Sequence, residues 1–217
     1  MSQNSAPALP VEGQLAGLRY KHLCNFEKTA PLVVLVHGRA GNFDVMWAFK
    51  RAMPEGVNFV APQAPLPDAG GFSWWEIGKP KEEMRESAQR AAETLAVFVN
   101  QYIAQSNLAP SRLLLVGFSQ GGALISLAIQ QETLLVHGAA LLASFAIKLP
   151  DSKINCPVFI AHGSNDEVIP LSQSESSRDY LLSCGAKVDF VVDDVGHKVG
   201  VNGMKELKAW SDRIVRS

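Results

Sequence analysis

Arg112-Leu113-Leu114-Leu115-Val116-Gly117-Phe118-Ser119-Gln120-Gly121 runs an apolar stretch straight into a glycine-flanked serine. Leu113 to Val116 leave no polar face, which is the habit of a strand buried on both sides in a parallel sheet. Residues 120–131 read as a helix, so the serine stands where a strand turns into a helix. Gly117-Phe118-Ser119-Gln120-Gly121 fits the G-x-S-x-G pattern of a nucleophile at a sharp strand-to-helix turn. The glycines have a steric reason: a side chain at 117 or 121 would crowd neighbouring backbone, whereas glycine lets the turn close. Such a turn lifts the hydroxyl clear of the sheet, and the helix start offers unpaired N–H groups to developing negative charge. The bland alternative is a plain turn with Ser119 as a helix cap. The strand before, the helix after and the additional Gly122 favour the nucleophile.

Outward from this turn, strand-like and helix-like segments alternate. Strands are predicted at Leu32–Val36, Val57–Ala61, Val158–Ala161 and Lys187–Val192, with a weak one over Leu15–Leu23, and Val136–Leu142 is a strand or a buried helix segment, which periodicity does not separate. Helices are predicted over 44–53, 81–105, 172–184 and 204–215; in the second, Ala88, Ala92, Leu95, Val99 and Tyr102 form one apolar stripe. Strands spaced by helices in this way predict an α/β fold with a mainly parallel central sheet and helices on both faces. Residues 15–217 form a single domain in this reading, and residues 1–14 a flexible tail. Residues 62–80 show no regular period and hold Phe72, Trp74 and Trp75, read either as an apolar wall of a substrate pocket or as a plug packed on the scaffold. Ligands in such sheets bind at the C-terminal ends of the strands. Three strands end there in polar turns: His37-Gly38, Phe118-Ser119 and His162-Gly163.

Bulk composition excludes several function classes. The 217 residues hold 20 basic and 21 acidic side chains, a formal net charge of -1, so no global field draws the chain to nucleic acid or an anionic membrane. At 47% hydrophobic and 19% charged residues the chain is globular rather than disordered. No stretch has the length of a spanning helix, and residues 1–10 lack the pattern of a secretory signal. Cys24, Cys156 and Cys184 are scattered and odd in number, which argues for a reducing compartment and a cytoplasmic protein. The scattered aspartates and histidines lack the spacing of a hydrolytic metal site, and no phosphate-binding glycine pattern is present, so no metal or organic cofactor is expected. Monomer and homodimer both stay open.

A serine nucleophile needs a base and a group to orient it. Of five histidines, His22 reads as a surface residue, His137 as a packing residue, and His37 and His162 as holders of loop shape. His197 follows the last strand in a loop able to bring the imidazole over the sheet edge, and the chain order Ser, Asp, His fits it. Asp166, from the loop after Val158–Ala161, is the preferred orienter because it comes from a separate strand end. Glu167 is its rival; Asp193 and Asp194 lie too near His197 in sequence and suit a cap better. The tetrahedral intermediate needs two donors. They are assigned to the backbone N–H groups of Gln120 and Arg39, the latter in the loop after Leu32–Val36. The Arg39 side chain either reaches solvent, pairs with a carboxylate, or favours an anionic part of the substrate.

At these residues the chain resembles the phospholipase/carboxylesterase family of α/β hydrolases, which includes the acyl-protein thioesterases. The resemblance runs from about Leu32 to Trp210 and rests on Leu35–Asn42, Val116–Ala123, Ile160–Pro170 and Gly196-His197. It implies an α/β-hydrolase fold, a triad of Ser119, Asp166 and His197, and oxyanion donors at Arg39 and Gln120. It also sets Phe72, Trp74 and Trp75 near the acyl or alcohol pocket. The implied activity is that of a carboxylesterase cleaving small esters through an acyl-enzyme intermediate. The alternative is acyl-protein thioesterase or lysophospholipase activity on long acyl chains. Arg39 stands where thioesterase members carry an apolar residue, and Lys198-Val199-Gly200 replaces their serine-proline helix start. Both departures favour the small-ester reading.

Overall fold

Leu32, Val34 and Val36 face one hydrophobic layer, and Val33 and Leu35 face the other. The same alternation holds for Leu113 and Leu115 against Leu114 and Val116. Side chains of a strand point to opposite faces in turn, so a strand that is apolar at every position must be covered on both sides. In the computed structural model, which describes residues 9–24 and 27–217, this sandwich of helix, sheet and helix is what forms.

Eight strands make the central sheet: β1 (Val11–Leu15), β2 (Leu18–Leu23), β3 (Leu32–Val36), β4 (Asn58–Pro62), and, beyond the small hairpin β5 (Leu66–Asp68) and β6 (Gly71–Ser73), β7 (Leu113–Phe118), β8 (Gly138–Leu142), β9 (Val158–Gly163) and β10 (Val188–Asp193). Their order is β1-β2-β4-β3-β7-β8-β9-β10. The β1–β2 and β2–β4 pairings are antiparallel, and every pairing from β4 to β10 is parallel. The helices are α1 (Phe43–Met46), α2 (Lys81–Gln105), α3 (Gln120–Ala128), α4 (Leu171–Ser183) and α5 (Val201–Arg216). The buried residues of α2, α3 and α4 join the layer of Leu32 and Val34, while α1 and α5 cover the face of Val33 and Leu35. The apolar stripe expected on α2 is buried along its length, from Ala88 to Tyr102.

Four expectations need correction. The tail expected over residues 1–14 does not extend that far: residues 11–14 belong to β1, and residues 1–8 lie outside the described residues. Its sequence Val-Glu-Gly-Gln-Leu sits at a half-exposed sheet edge, so no apolar run betrays it. Ala16 and Gly17, both at positive φ, then turn the chain tightly back into β2. The helix expected over 44–53 is split into α1, capped by the Asn42 side chain at 2.9 Å from the N–H of Asp44, and a 3-10 helix over Trp47–Ala52. The aperiodic stretch 62–80 contains the β5–β6 hairpin, too short at three residues per strand to show a period. His22, expected at the surface, is half-buried, with Nδ1 2.7 Å from the Tyr102 hydroxyl.

Candidate active site

The central strand β7 hands the chain to α3 at Ser119, whose backbone stands at φ 51 and ψ -119. A β-carbon on Gly121 would fall 2.2 Å from the Val36 carbonyl oxygen, and one on Gly117 2.5 Å from the backbone of Gly121. Glycine is therefore required at both positions for the turn to seat against β3. The strained serine backbone costs on the order of 1–3 kcal/mol, and its neighbours hold it there. The Ser119 N–H donates to the Leu142 carbonyl at 2.9 Å, and the Ser144 hydroxyl donates to the Ser119 carbonyl at 2.6 Å.

Ser119, His197 and Asp166 meet above this turn. His197 Nε2 is 3.0 Å from Ser119 Oγ, and His197 Nδ1 is 2.7 Å from Asp166 Oδ2. An ionised carboxylate only accepts, so the proton sits on Nδ1 and leaves Nε2 free to accept from the serine hydroxyl. Asp166 Oδ1 accepts the N–H groups of Val168 and Ile169, each at 2.9 Å. Burial pushes this carboxyl upward, but the Ile169 N–H, the His197 imidazole and the Val168 N–H outweigh it and hold it below the usual carboxylate range. Buried His162 donates from Nε2 to the Ile169 carbonyl at 2.8 Å and lies 3.4 Å from Asp166 Oδ2, bracing the loop that carries the aspartate.

The rival carboxylates have other partners or positions. Glu167 is exposed. Asp193 caps α5, accepting the Gly203 N–H at 2.7 Å. Asp194 accepts from the Asn165 side chain at 2.6 Å and from Ser164 Oγ at 3.3 Å. With the Ser164 and Asn165 N–H groups donating to Asp193 and Val195 carbonyls at 2.8 and 3.0 Å, these bonds lace the aspartate loop to the histidine loop. Gly163 permits that contact, since a β-carbon there would meet the Gly196 and Val195 carbonyls at 2.3 Å. Asp194, expected to suit a cap, is instead a positioning residue that ties the histidine loop to the aspartate loop.

The loop after β3 is held by His37, which is fully buried. Its Nδ1 donates to the Gly38 carbonyl at 2.7 Å and its Nε2 accepts the Ala64 N–H at 3.0 Å, so the ring must be neutral to serve both. Burial lowers its pKa to about 4 against a smaller opposing effect of the Gly38 carbonyl. The histidine binds fewer protons folded than unfolded between pH 6.5 and about 4. Stability therefore rises with pH through that window and falls on acidification, by about 3 kcal/mol from this group. Burial also lowers His22 and His137, which act in the same direction. Urea midpoints measured from pH 7 to pH 4 are expected to drop, with a shallower drop in His37→Gln; an equal drop in the variant would remove His37 as a cause.

Gln120 contributes more than its backbone. Its Oε1 accepts the Trp74 N–H at 2.9 Å and its Nε2 donates to the Trp75 carbonyl at 3.0 Å, tying the nucleophile turn to the aromatic segment. The Gln120 N–H opens α3 and has no partner within the helix. The Arg39 side chain pairs with Asp68 of β5 through Nε at 2.7 Å, and the Ser73 hydroxyl donates to the same carboxylate at 2.7 Å. Of the fates considered for this arginine, pairing with a carboxylate is the one found.

A cavity of about 660 Å³ opens beside Ser119 and Gln120, walled by Trp75, Met84, Ala88, Phe145, Ile147 and Ile169. A second cleft of about 520 Å³ is lined by Arg39, Met46, Phe49, Phe118, Lys198 and Met204. Of the three aromatics expected at the pocket, Trp75 lines the cavity; Phe72 and Trp74 do not. Trp74 is buried, donating from Nε1 to the His37 carbonyl at 2.8 Å, and half-buried Phe72 pairs its N–H with the Gly41 carbonyl at 2.8 Å. Both pin the hairpin to the β3 loop, because each has a partner there that fixes it away from the opening. Among the described residues no group of three or more His, Cys, Asp or Glu side chains is placed to share a metal ion, and no helix is long and apolar enough to cross a membrane.

Residues 23–213 match a family described as phospholipase/carboxylesterase. Esterase YpfH of Escherichia coli K12 is 26% identical over 80% of this chain and 78% of its own. Acyl-protein thioesterase 1 of Gibberella zeae is 26% identical over 82% of this chain and 88% of its own. The crystal structure of a carboxylesterase from Mesorhizobium loti superposes with a TM-score of 0.82 at 22% identity, over 93% of this chain and 97% of the other, which shows the common fold.

Proposed function

The chain belongs to the phospholipase/carboxylesterase family and is a carboxylic ester hydrolase of the serine-hydrolase class; from that premise we propose that Ser119 is its nucleophile, His197 its general base and Asp166 the group that orients the base. His197 Nε2 takes the proton of Ser119 Oγ as the oxygen attacks the ester carbonyl. The oxyanion that develops accepts from the backbone N–H groups of Arg39 and Gln120. The imidazolium returns its proton to the leaving alcohol, and water then repeats the cycle on the acyl-enzyme. The observation that carries this reading is the unbroken chain of short contacts from Ser119 Oγ through His197 to Asp166, beside an apolar cavity.

Small esters are the proposed substrates, and the unpaired cysteines favour a cytoplasmic location, as monomer or homodimer. The likeness to an acyl-protein thioesterase supports a second reading, cleavage of long-chain acyl thioesters. Rates on p-nitrophenyl esters of increasing acyl length, beside the matching thioesters, separate the two. The proposal expects kcat/KM to fall as the acyl chain lengthens; a rise toward long chains with thioesters preferred would replace it with the second reading.

A further inference from the structure

We infer that the larger cavity binds esters whose acyl chain ends in an anionic group, a carboxylate held away from the scissile carbonyl by an apolar stretch. The inference rests on the ester-hydrolase reading above and names the substrate class of that site. Across the whole chain acidic residues slightly outnumber basic ones. Around the reacting groups the balance is reversed. The ionisable residues lining the larger cavity are Arg39, Lys81, Arg85 and Lys148, and those lining the second cleft are Arg39, Arg51 and Lys198. Among the described residues no carboxylate lines either opening. Glu82 follows Lys81 and Glu86 follows Arg85 in sequence, but neither lines the cavity, and Glu86 pairs with Arg90.

Arg39 already has a counterion in Asp68. Lys81, Arg85 and Lys148 make no ion pair with a carboxylate among the described residues. Two of them are nevertheless anchored to the same segment. The Arg85 guanidinium lies 3.5 Å from the Lys148 carbonyl, and the Lys148 ammonium is fixed 2.9 Å from Ser176 Oγ and over the Tyr180 ring. The segment carrying Lys148 is itself pinned, its Ala146 and Ile147 N–H groups donating to Ser177 and Ser126 hydroxyls at 2.7 and 3.0 Å. Cations on a fixed wall with no carboxylate partner are free to form charge-assisted hydrogen bonds with a bound anion. The rest of the cavity wall is mostly apolar, Met84, Ala88 and Phe145 among its residues, which suits a methylene chain. Apolar walls concentrate the field of the cations on the opening.

The test compares p-nitrophenyl hexanoate with the mono-p-nitrophenyl ester of adipic acid, equal in chain length and different only in the terminal carboxylate. The inference expects kcat/KM to favour the adipate ester by about tenfold at low salt, mostly through KM. The preference should shrink toward unity near 1 M salt, where the screening length is about 3 Å. In Arg85→Gln/Lys148→Gln the ratio of the two kcat/KM values should fall by about the same factor, while fluorophosphonate labelling of Ser119 reports an intact reacting centre. Equal rates on both esters in the wild type would overturn this inference and leave the hydrolase reading standing. A preference lost in Arg51→Gln/Lys198→Gln instead would overturn the assignment to the larger cavity. No turnover of either ester and no labelling of Ser119 would bring down both readings together.

Discussion

Replacing Ser119 with alanine is expected to lower kcat on p-nitrophenyl esters by a factor on the order of 10^4–10^6 and to abolish labelling by a fluorophosphonate. The size of the effect follows from covalent catalysis: without Oγ no acyl-enzyme forms, and only the oxyanion donors and the pocket remain to assist water. The folded state should hardly notice. The Ser119 side chain makes one hydrogen bond, to His197, at a half-buried position, so its loss is worth about 1 kcal/mol or less. The backbone conformation at φ 51 is enforced from outside, by Leu142, Ser144 and the seating of Gly121 on β3, and those contacts do not involve Oγ. Mass spectrometry of the labelled protein and a urea titration check the two halves separately. Equal labelling of the alanine variant would move the nucleophile to another residue, and the fold around it would then need a different explanation.

How much of this arrangement is legible in the sequence depends on how local the determinant is. Leu113 to Val116 and Leu32 to Val36 announce themselves because burial on both faces demands an unbroken apolar run, and the serine turn because its glycines answer a steric need within five residues. The edge of the sheet is quiet for the opposite reason. At half-exposed β1 neither run nor clean alternation is required, so its pairing with β2 appears only in three dimensions. The pocket is the least legible part. Phe72, Trp74 and Trp75 look alike as an aromatic cluster, and only the long-range partners of Trp74, His37 and Gln120, decide that it turns inward while Trp75 faces the cavity. Asp68 escapes notice, and Asp194 reads only as a cap, for the same reason: the role of each depends on a loop 29 residues away. His162 reads as a holder of loop shape from its place before a glycine at a strand end, and its bond to the Ile169 carbonyl agrees.

Truncating His197 to alanine is expected to cost nearly as much turnover as losing Ser119, on the order of 10^4–10^6 in kcat, since nucleophile and base act as one unit and their losses do not add. A double variant should therefore be scarcely slower than either single one, which rate measurements on the three proteins can establish. The effect on the fold separates a base from a scaffold residue. His197 Nδ1 is one of several donors to Asp166, and in its absence Oδ1 keeps the Val168 and Ile169 N–H groups while Oδ2 retains only His162 at 3.4 Å. A partly unsatisfied buried oxygen costs about 1–3 kcal/mol. The Asp166 carboxyl should also climb back toward its ordinary range, because the imidazole is one of the groups holding it down. A lowered folded pKa adds stability that is present above the unfolded value and is lost as pH falls through the folded one. His197→Ala should accordingly lose the Asp166 contribution at higher pH than the wild type does, visible as an acid-unfolding midpoint displaced upward. Turnover retained in the variant would place the base elsewhere. Turnover lost together with cooperative unfolding would instead make His197 a structural link between its loop and that of Asp166. The expected pattern, a collapse in rate with a modest and pH-dependent loss of stability, belongs only to an imidazole that carries the proton.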